Sequence, residues 1–212
     1  MRFVERKLLL ETAQRMAARG LAPGTSGNVS LRLDDGGMLI TPSGVPYDEL
    51  AREDLVEVDA RGQSRSGRRP SSEWRLHREL YLGRRDAAAI VHTHSTHATA
   101  LSCLRRGIPA FHYMVAIAGG NDVRCARYAT FGTAELAAAA VTALEGRRAC
   151  LLANHGVVAL GSSLPAALRI AEEIEVLATQ YIAALSVGEP VILDETEMAA
   201  VHERFAGYGL PR

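Results

Sequence analysis

Apolar and polar residues alternate along the chain with two different periods, which predict both helices and strands. Between residues 2 and 19, apolar positions recur every three to four residues, as in an amphipathic helix, and Gly20 follows as a stop signal. Val29, Leu31 and Leu33 instead alternate with polar neighbours, which is typical of a strand with one solvated face. The stripe of the first helix that we expect to be buried consists of Val4, Leu8, Leu9, Thr12 and Met16.

Turn signals and shorter apolar runs extend this prediction along the chain. A hairpin turn at 34–37 leads into a returning strand at 38–41. A helix is expected to begin near Ser71 or Ser72, either of which could cap it. The other expected elements are strands at 55–58, 88–94, 149–153 and 157–160, an extended segment at 111–117 that ends at Gly119-Gly120, and helices at 96–104, from Thr133 to about Glu145, and at 164–185.

The order of these elements predicts an α/β protein with a mixed sheet flanked by helices. Hairpins come first and strand–helix alternation follows, without an internal repeat or a linker. A length of 212 residues fits one domain. We therefore interpret residues 1–212 as a single domain with a mobile C-terminal tail from about residue 188.

Composition and charge exclude several classes of function. Lys plus Arg and Asp plus Glu both count 24, so the net charge is zero and general binding of nucleic acid is not expected. No apolar stretch reaches the length of a transmembrane helix, and the N-terminus lacks the apolar core of a signal peptide. Three cysteines without a C-x-x-C spacing argue against a disulfide framework. We expect a cytoplasmic protein that does not act on membranes.

Histidines supply the first candidate chemistry. His92 and His94 are two residues apart on an expected strand, so both side chains project from the same face. His155 follows an apolar run and precedes Gly156. Three imidazoles with one open position are typical of a catalytic zinc site, although a lone strand histidine is more often a satisfied polar group. Ranked below these three are the helical candidates His77 and His97, and the expected bystanders are His112 and His202.

Glu73 is the acid that we expect beside such a metal. An acid in the first turn of a helix normally only complements the helix dipole. Here two serines precede it at the same helix N-terminus, where backbone N–H groups favour a bound phosphate. Two loops could donate further hydrogen bonds to the same anion, although each by itself reads as a turn: Gly27-Asn28 and Ser43-Gly44.

These segments together resemble the class II aldolase/adducin family, from Gly20 to about Leu185 and again around Tyr208. The resemblance is carried by GTSGNVS, MLITPSGVPYDEL, PSSEWRLH, IVHTHSTHATAL, IPAFHYMVAIAGGNDV, ARYATFGTAEL and NHGVVALG. It implies a single-domain, three-layer α/β/α fold whose central mixed sheet is largely antiparallel. The stretch from Asp122 to Arg127 departs from the family pattern.

The resemblance also implies roles for individual residues. His92, His94 and His155 would hold one Zn²⁺ per subunit. Glu73 would ligate the metal at rest, move off when substrate binds and then act as acid/base. Two tyrosines, Tyr113 and Tyr208, would reach the active site from a neighbouring subunit of a cyclic homotetramer. The residues that would hold the phosphate of a sugar phosphate are Gly27, Asn28, Ser43, Gly44, Ser71 and Ser72.

The implied reaction is zinc-dependent retro-aldol cleavage of a ketose 1-phosphate, most directly L-fuculose 1-phosphate, to dihydroxyacetone phosphate and L-lactaldehyde. A divalent metal would act as the Lewis acid, and Glu73, with a pKa raised by burial, would transfer a proton. Lys7 is the only lysine, which argues independently against a Schiff-base route. Three alternatives stay open on the same scaffold: a sugar-phosphate 4-epimerase, a methylthioribulose-1-phosphate dehydratase and a non-catalytic adducin-like module.

Overall fold

A seven-stranded sheet forms the centre of the computed structural model, which describes residues 2–65 and 68–205. The strands are β1 (Asn28–Arg32), β2 (Met38–Ile40), β3 (Val56–Val58), β4 (Ala89–Thr93), β5 (Arg124–Ala126), β6 (Ala149–Leu152) and β7 (Gly156–Gly161). Their order in the sheet is β3-β2-β1-β4-β7-β6-β5. Neighbouring strands are antiparallel except for β5 and β6, which run parallel. The predicted mixed, largely antiparallel sheet is thus confirmed.

Helices cover both faces of this sheet, which gives the three expected layers. The helices are α1 (Phe3–Ala18), α2 (Trp74–Gly83), α3 (Thr96–Cys103), α4 (Ala134–Ala143), α5 (Leu164–Val187) and α6 (Glu195–Phe205). One apolar cluster joins the sheet to α1, α3 and α5, and a second cluster joins the opposite face to α2 and α4. None of the helices in the described ranges is long and apolar enough to cross a membrane.

Strand β4 lies in the middle of the sheet, and all five of its residues are buried. Val91 packs in the cluster on the α5 side, whereas Ile90 packs in the cluster on the α2 side. Because side chains alternate along a strand, His92 continues the row of Ile90 and points towards α2. The sheet therefore presents His92 on the face where α2 begins.

The buried stripe of α1 differs from the prediction. Leu9, Thr12, Ala13 and Met16 are buried, but Val4 and Leu8 are exposed. The buried positions recur every three to four residues and form one stripe against the apolar cluster, and Val4 and Leu8 lie outside that stripe. The first helix was predicted correctly, and its buried face was predicted only in part.

The segment predicted to be extended at 111–117 is mostly helical, and that prediction was wrong. Tyr113–Ala118 forms a 3₁₀ helix that ends at Gly119, whose φ of 89° is left-handed. Its last four residues, 115–118, are all buried among α5 and α6, so they do not alternate between a wet and a dry face. In a short run that is buried on several sides, apolar and polar residues do not recur with a regular period. The sequence then does not distinguish a strand from a helix.

Helical structure continues beyond residue 188, where we expected a tail. Helix α6 buries Met198 against Ala110 and Ala116, beside the 3₁₀ helix. His202 lies 2.9 Å from the side-chain oxygen of Asn121. The mobility of this segment stays a prediction, and Tyr208 lies outside the described residues.

Candidate active site

Three histidines meet where strands β4 and β7 run side by side. His92 pairs across the sheet with Asn28 on β1 and with Val158 on β7. His94 follows the end of β4, and its backbone N–H donates to the carbonyl of Leu21. The two rings lie together as predicted, but only His92 is on the strand, because β4 ends at Thr93.

A tight turn between β6 and β7 brings the third histidine to the pair. Asn154 adopts a left-handed φ of 55°, a conformation that asparagine tolerates better than most residues. The backbone N–H of His155 donates to the carbonyl of Leu152 and to the hydroxyl of Ser102 on α3. The turn that precedes β7 therefore directs the side chain of His155 towards His92 on β4.

The three imidazole rings form a compact, nearly symmetric cluster. Their centroids are 4.8–4.9 Å apart and their planes are inclined by 73–86°. His92 Nε2 lies 3.0 Å from His94 Nε2. His92 Nδ1 lies 2.7 Å from the carbonyl oxygen of Val157, which accepts a hydrogen bond from the ring and leaves Nε2 directed at the cluster.

Glu73 completes the cluster from the start of α2. It occupies the N-cap position, one or two residues later than the serines that we predicted as caps, and its side chain makes no capping hydrogen bond. Its carboxylate Oε2 lies 3.0 Å from His92 Nε2, and Oε1 lies 3.3 Å from His155 Nε2. Oε1 accepts no hydrogen bond although it is buried. The donor atoms of Glu73, His92, His94 and His155 all lie within 4.8 Å of one another.

Electrostatics prepare these side chains to hold a cation. Burial, together with the charge of His92, lowers the pKa of His94 and His155 to about 4 each, so both are neutral near pH 7. Burial is the largest single influence and would raise the pKa of Glu73, but the attraction and hydrogen bond of His92, the attraction of His155 and the hydrogen bond from Asn28 together outweigh it, so the pKa lies below its ordinary value. Glu73 is therefore ionised, and our expectation of a raised pKa was wrong. Neutral imidazoles and a carboxylate are the forms that bind Zn²⁺. His92 differs from the other two rings, because burial lowers its pKa but the attraction and hydrogen bond of Glu73 raise it further, so zinc would have to displace a proton from this ring.

A cavity of about 350 Å³ opens over this cluster. Glu73, His94 and His155 line its floor. One wall carries the residues predicted to hold phosphate, namely Gly27, Asn28, Ser43, Gly44, Ser71 and Ser72. The other wall includes Tyr128, Ala129, Phe131 and Asn154. The fold thus collects loops distant in sequence around one space, and no lysine or arginine is among the described residues that line it.

Tyr113, one of the two predicted catalytic tyrosines, does not line this cavity. Tyr113 is about half exposed and stacks on His112 with the ring centroids 4.7 Å apart. It lines a separate small cavity with Met114 and residues of α6. Tyr208 lies beyond the residues that the structure describes. The role predicted for each tyrosine stays a prediction.

His77 is the residue whose importance sequence reasoning missed. We ranked it only as a weaker ligand candidate, yet it is fully buried and hydrogen-bonded to Asn28, whose amide contacts Glu73. The available signal was its spacing of four residues from Glu73, which places both on one face of α2. His97, the other weaker candidate, lies on α3 and bonds to Glu175.

The chain belongs to the class II aldolase family. The family model described as "Class II Aldolase and Adducin N-terminal domain" matches residues 7–182. The predicted family is confirmed, and with it the single-domain fold. The family match, together with the aldolases to which the chain is similar, makes it an enzyme of the metal-dependent aldolase class.

Individual members of the family are similar to this chain over almost its whole length. The chain is 51% identical over 208 residues to the 5-methylthioribulose-1-phosphate/5-deoxyribulose-1-phosphate aldolase of Rhodospirillum rubrum, covering 98% of this chain and 94% of that protein. It is 49% identical over 203 residues to the L-fuculose phosphate aldolase of Escherichia coli K12, covering 95% and 94%. A solved L-fuculose 1-phosphate aldolase superposes with a TM-score of 0.92 at 45% identity over 95% of both chains.

Proposed function

We propose that the chain is a zinc-dependent aldolase that cleaves L-fuculose 1-phosphate to dihydroxyacetone phosphate and L-lactaldehyde, and catalyses the reverse condensation. The observation that carries the proposal is the single cavity that the metal-site residues and the predicted phosphate-binding residues line together. There, a carboxylate and two histidines of the cluster face loops rich in serine and glycine. The relatives named as L-fuculose phosphate aldolases support this substrate.

His92, His94, His155 and Glu73 would together hold one Zn²⁺ per subunit. Their donor atoms are close enough to share one ion, and the buried Glu73 Oε1 has no hydrogen-bond partner. A zinc ion held there supplies Lewis-acid stabilisation of the negative charge that develops on the substrate when the carbon–carbon bond breaks. Lys7, the only lysine, is exposed on α1 and pairs with Glu11, so an imine route has no lysine at the cavity.

The phosphate group would lie against the serine- and glycine-containing wall. Hydroxyl groups of Ser43 and Ser72, and backbone N–H groups near Gly44 and at the N-terminus of α2, are neutral donors suited to a phosphate dianion. The Asn28 amide has two N–H donors, and one of them already goes to Glu73. Binding through these groups would orient the substrate with its carbonyl end over the cluster.

Proton transfer would then fall to Glu73 and to tyrosines. After leaving the metal when substrate binds, the ionised carboxylate of Glu73 would take a proton from C3 in the condensation direction. In cleavage the carboxylate would first take up a proton from solvent and then give it to C3, while the C4 hydroxyl loses its own proton. Tyr113, with Tyr208, would handle the proton of the C4 hydroxyl from a neighbouring subunit of a homotetramer. The exposure of Tyr113, outside the cavity of its own chain, supports action at another subunit's site.

A 5-deoxypentulose 1-phosphate is the second candidate substrate. The observation that favours it is the 51% identity to the Rhodospirillum rubrum enzyme named for such substrates. Both substrates would release dihydroxyacetone phosphate, and both carry an apolar end that could pack against Tyr128 and Phe131. They therefore differ only in the aldehyde formed. We also propose a cytoplasmic location, which the three free cysteine thiols support.

The test is release of dihydroxyacetone phosphate, followed by a coupled assay that consumes NADH. L-Fuculose 1-phosphate and a 5-deoxypentulose 1-phosphate are compared by kcat/KM, each with and without a chelator and with zinc added back. Chelator-sensitive release that zinc restores is the expected result, and the larger kcat/KM assigns the substrate. No release of dihydroxyacetone phosphate by zinc-loaded protein from either substrate would contradict the proposal and favour the epimerase or the dehydratase.

A further inference from the structure

A continuous series of buried polar side chains leads from the interior of the second apolar cluster to Glu73. Tyr81 Oη lies 2.8 Å from Ser30 Oγ, which lies 2.6 Å from His77 Nδ1. His77 Nε2 is hydrogen-bonded to Asn28 Oδ1, and Asn28 Nδ2 donates to Glu73 Oε2 at 3.0 Å. All five residues are buried, and Ser30 and His77 have no exposed surface. We call this series the buried hydrogen-bond chain.

Chemistry fixes the direction of each hydrogen bond in the buried hydrogen-bond chain. Asn28 Nδ2 donates to Glu73 Oε2, so the Asn28 oxygen is the atom that faces His77 and accepts from it. His77 then donates from Nε2–H and, being neutral, accepts at Nδ1 from the Ser30 hydroxyl. Burial lowers the pKa of His77 to about 3, in agreement with a neutral ring. Ser30 in turn accepts from the phenol of Tyr81.

Sequence spacing builds this arrangement from two elements. Asn28 and Ser30 are two residues apart on β1, so both point to the same face of the sheet. Glu73, His77 and Tyr81 recur every fourth residue from the start of α2, so they lie along one face of that helix. The side chains from α2 and those from β1 are hydrogen-bonded to one another in alternation. Glu73 lies at the end nearest the histidine cluster.

We propose that His77 is a positioning residue for Glu73, acting through Asn28. Its Nε2–H holds the Asn28 amide in the one orientation that donates to the carboxylate. Without that donor the amide is free to rotate by half a turn and present its oxygen to Glu73, where two acceptors would repel. The proposal rests on the proposed role of Glu73, because it matters for catalysis only if Glu73 transfers a proton at the substrate.

The first experiment reads the proton on His77 without any turnover. Protein labelled with ¹⁵N at histidine is treated with a chelator, and the ring nitrogens are observed by NMR near neutral pH, with His77→Gln identifying the His77 signals. The expected result is a neutral ring protonated at Nε2. A ring protonated at Nδ1, or a doubly protonated ring, would overturn the proposal. This outcome does not depend on whether the substrate has been assigned correctly.

The second experiment compares two substitutions that differ in the donor. His77→Phe keeps a flat ring but removes the N–H, whereas His77→Gln can keep an N–H near the position of Nε2. We expect His77→Phe to lower kcat by about 10- to 100-fold with zinc content and KM little changed, the scale reported for residues that orient a metal site. We expect His77→Gln to recover most of that loss. His97→Gln on α3 is the matched control, since its ring bonds to Glu175 outside the cavity.

A folded, zinc-loaded His77→Phe protein that turns over as fast as wild type would refute the positioning role. Equal losses of kcat in His77→Phe and His77→Gln, with normal folding and zinc content, would refute it as well. If His77→Phe does not fold, Tyr81→Phe replaces it, because that change removes only the distal hydroxyl of the buried hydrogen-bond chain. An increase in the fraction of His77 that is protonated at Nδ1 in Tyr81→Phe would support the proposal. A Tyr81→Phe protein in which both the tautomer of His77 and kcat are the same as in wild type would contradict it.

Discussion

Replacement of Gly156 by alanine tests how the close approach of β7 to β4 holds the histidine cluster. Gly156 opens β7 directly after His155, and its backbone lies against the end of β4. A Cβ atom at this position would overlap the carbonyl oxygen of Thr93 and lie 3.2 Å from Cδ2 of His94. The first contact is with backbone, so it cannot be relieved by a change of rotamer.

The decrease in the free energy of unfolding expected for Gly156→Ala follows from these contacts. The two strands must separate, which costs about 1–3 kcal/mol for overpacking. The same movement lengthens the 2.7 Å hydrogen bond between His92 Nδ1 and the carbonyl of Val157, worth about 0.5–1.5 kcal/mol. We expect a total near 2–4 kcal/mol and a fall in Tm of about 4–16 °C, at about 2–4 °C per kcal/mol for a domain of this size. Displacement of His94 should also weaken zinc binding by about 10- to 100-fold.

Two measurements separate the fold from the metal site. Thermal unfolding in the presence of a chelator reports the stability of the protein fold alone, and zinc titration at a temperature well below Tm reports the affinity of the site. Gly188→Ala is the matched control, because Gly188 has an extended φ of 174° and a Cβ there meets no atom within 4 Å. We expect that control to stay within about 0.5 kcal/mol of wild type.

Wild-type zinc affinity in Gly156→Ala would refute this reasoning, even if Tm fell as expected. It would mean that the ligands keep their geometry when β7 moves away from β4. Unchanged values of both Tm and affinity would mean that the strands approach less closely than the structure shows.

Three further predictions concern the cluster, the neighbouring subunit and the core. His155→Ala should lose both zinc and cleavage activity, measured by metal analysis and by release of dihydroxyacetone phosphate; a full zinc complement would require another third ligand. Tyr113→Phe should keep its zinc while turnover falls, and wild-type turnover would contradict an active site shared between subunits. Leu151→Ala removes a fully buried side chain of the larger apolar cluster. It should cost about 2–5 kcal/mol in urea unfolding, and a loss below 1 kcal/mol would contradict tight packing at this position.

Local signals in the sequence were sufficient for most of the elements. Thr133 was predicted to cap α4, and its hydroxyl accepts from the backbone N–H of Leu136 at 3.2 Å. The long helix α5 and the strand that carries His92 were also predicted, because each has a clear period or a bounded apolar run. Prediction failed at 111–117, where burial on several sides removes the period on which a sequence-based assignment depends.

In the candidate site, features set by local spacing were predicted correctly, whereas features that depend on contacts between distant residues were not. The spacing of His92 and His94 is itself geometric, so their shared direction could be deduced before the fold was known. The expectation that Glu73 has a raised pKa failed because burial was considered without the charge of His92. Only the fold places the two groups 3.0 Å apart.

The sequence alone determined which chemical groups this protein carries: a histidine pair, a third histidine at a glycine turn, one acid at a helix start, a single lysine and the family to which they belong. Tertiary structure decided which of these groups meet, and therefore their protonation states. It also placed His77, an unremarkable helical residue in the sequence, in the middle of a row of buried hydrogen bonds that leads to Glu73. Spacing specifies contacts within one helix or strand, but contacts between β1, α2, β4 and β7 depend on how the sheet is assembled.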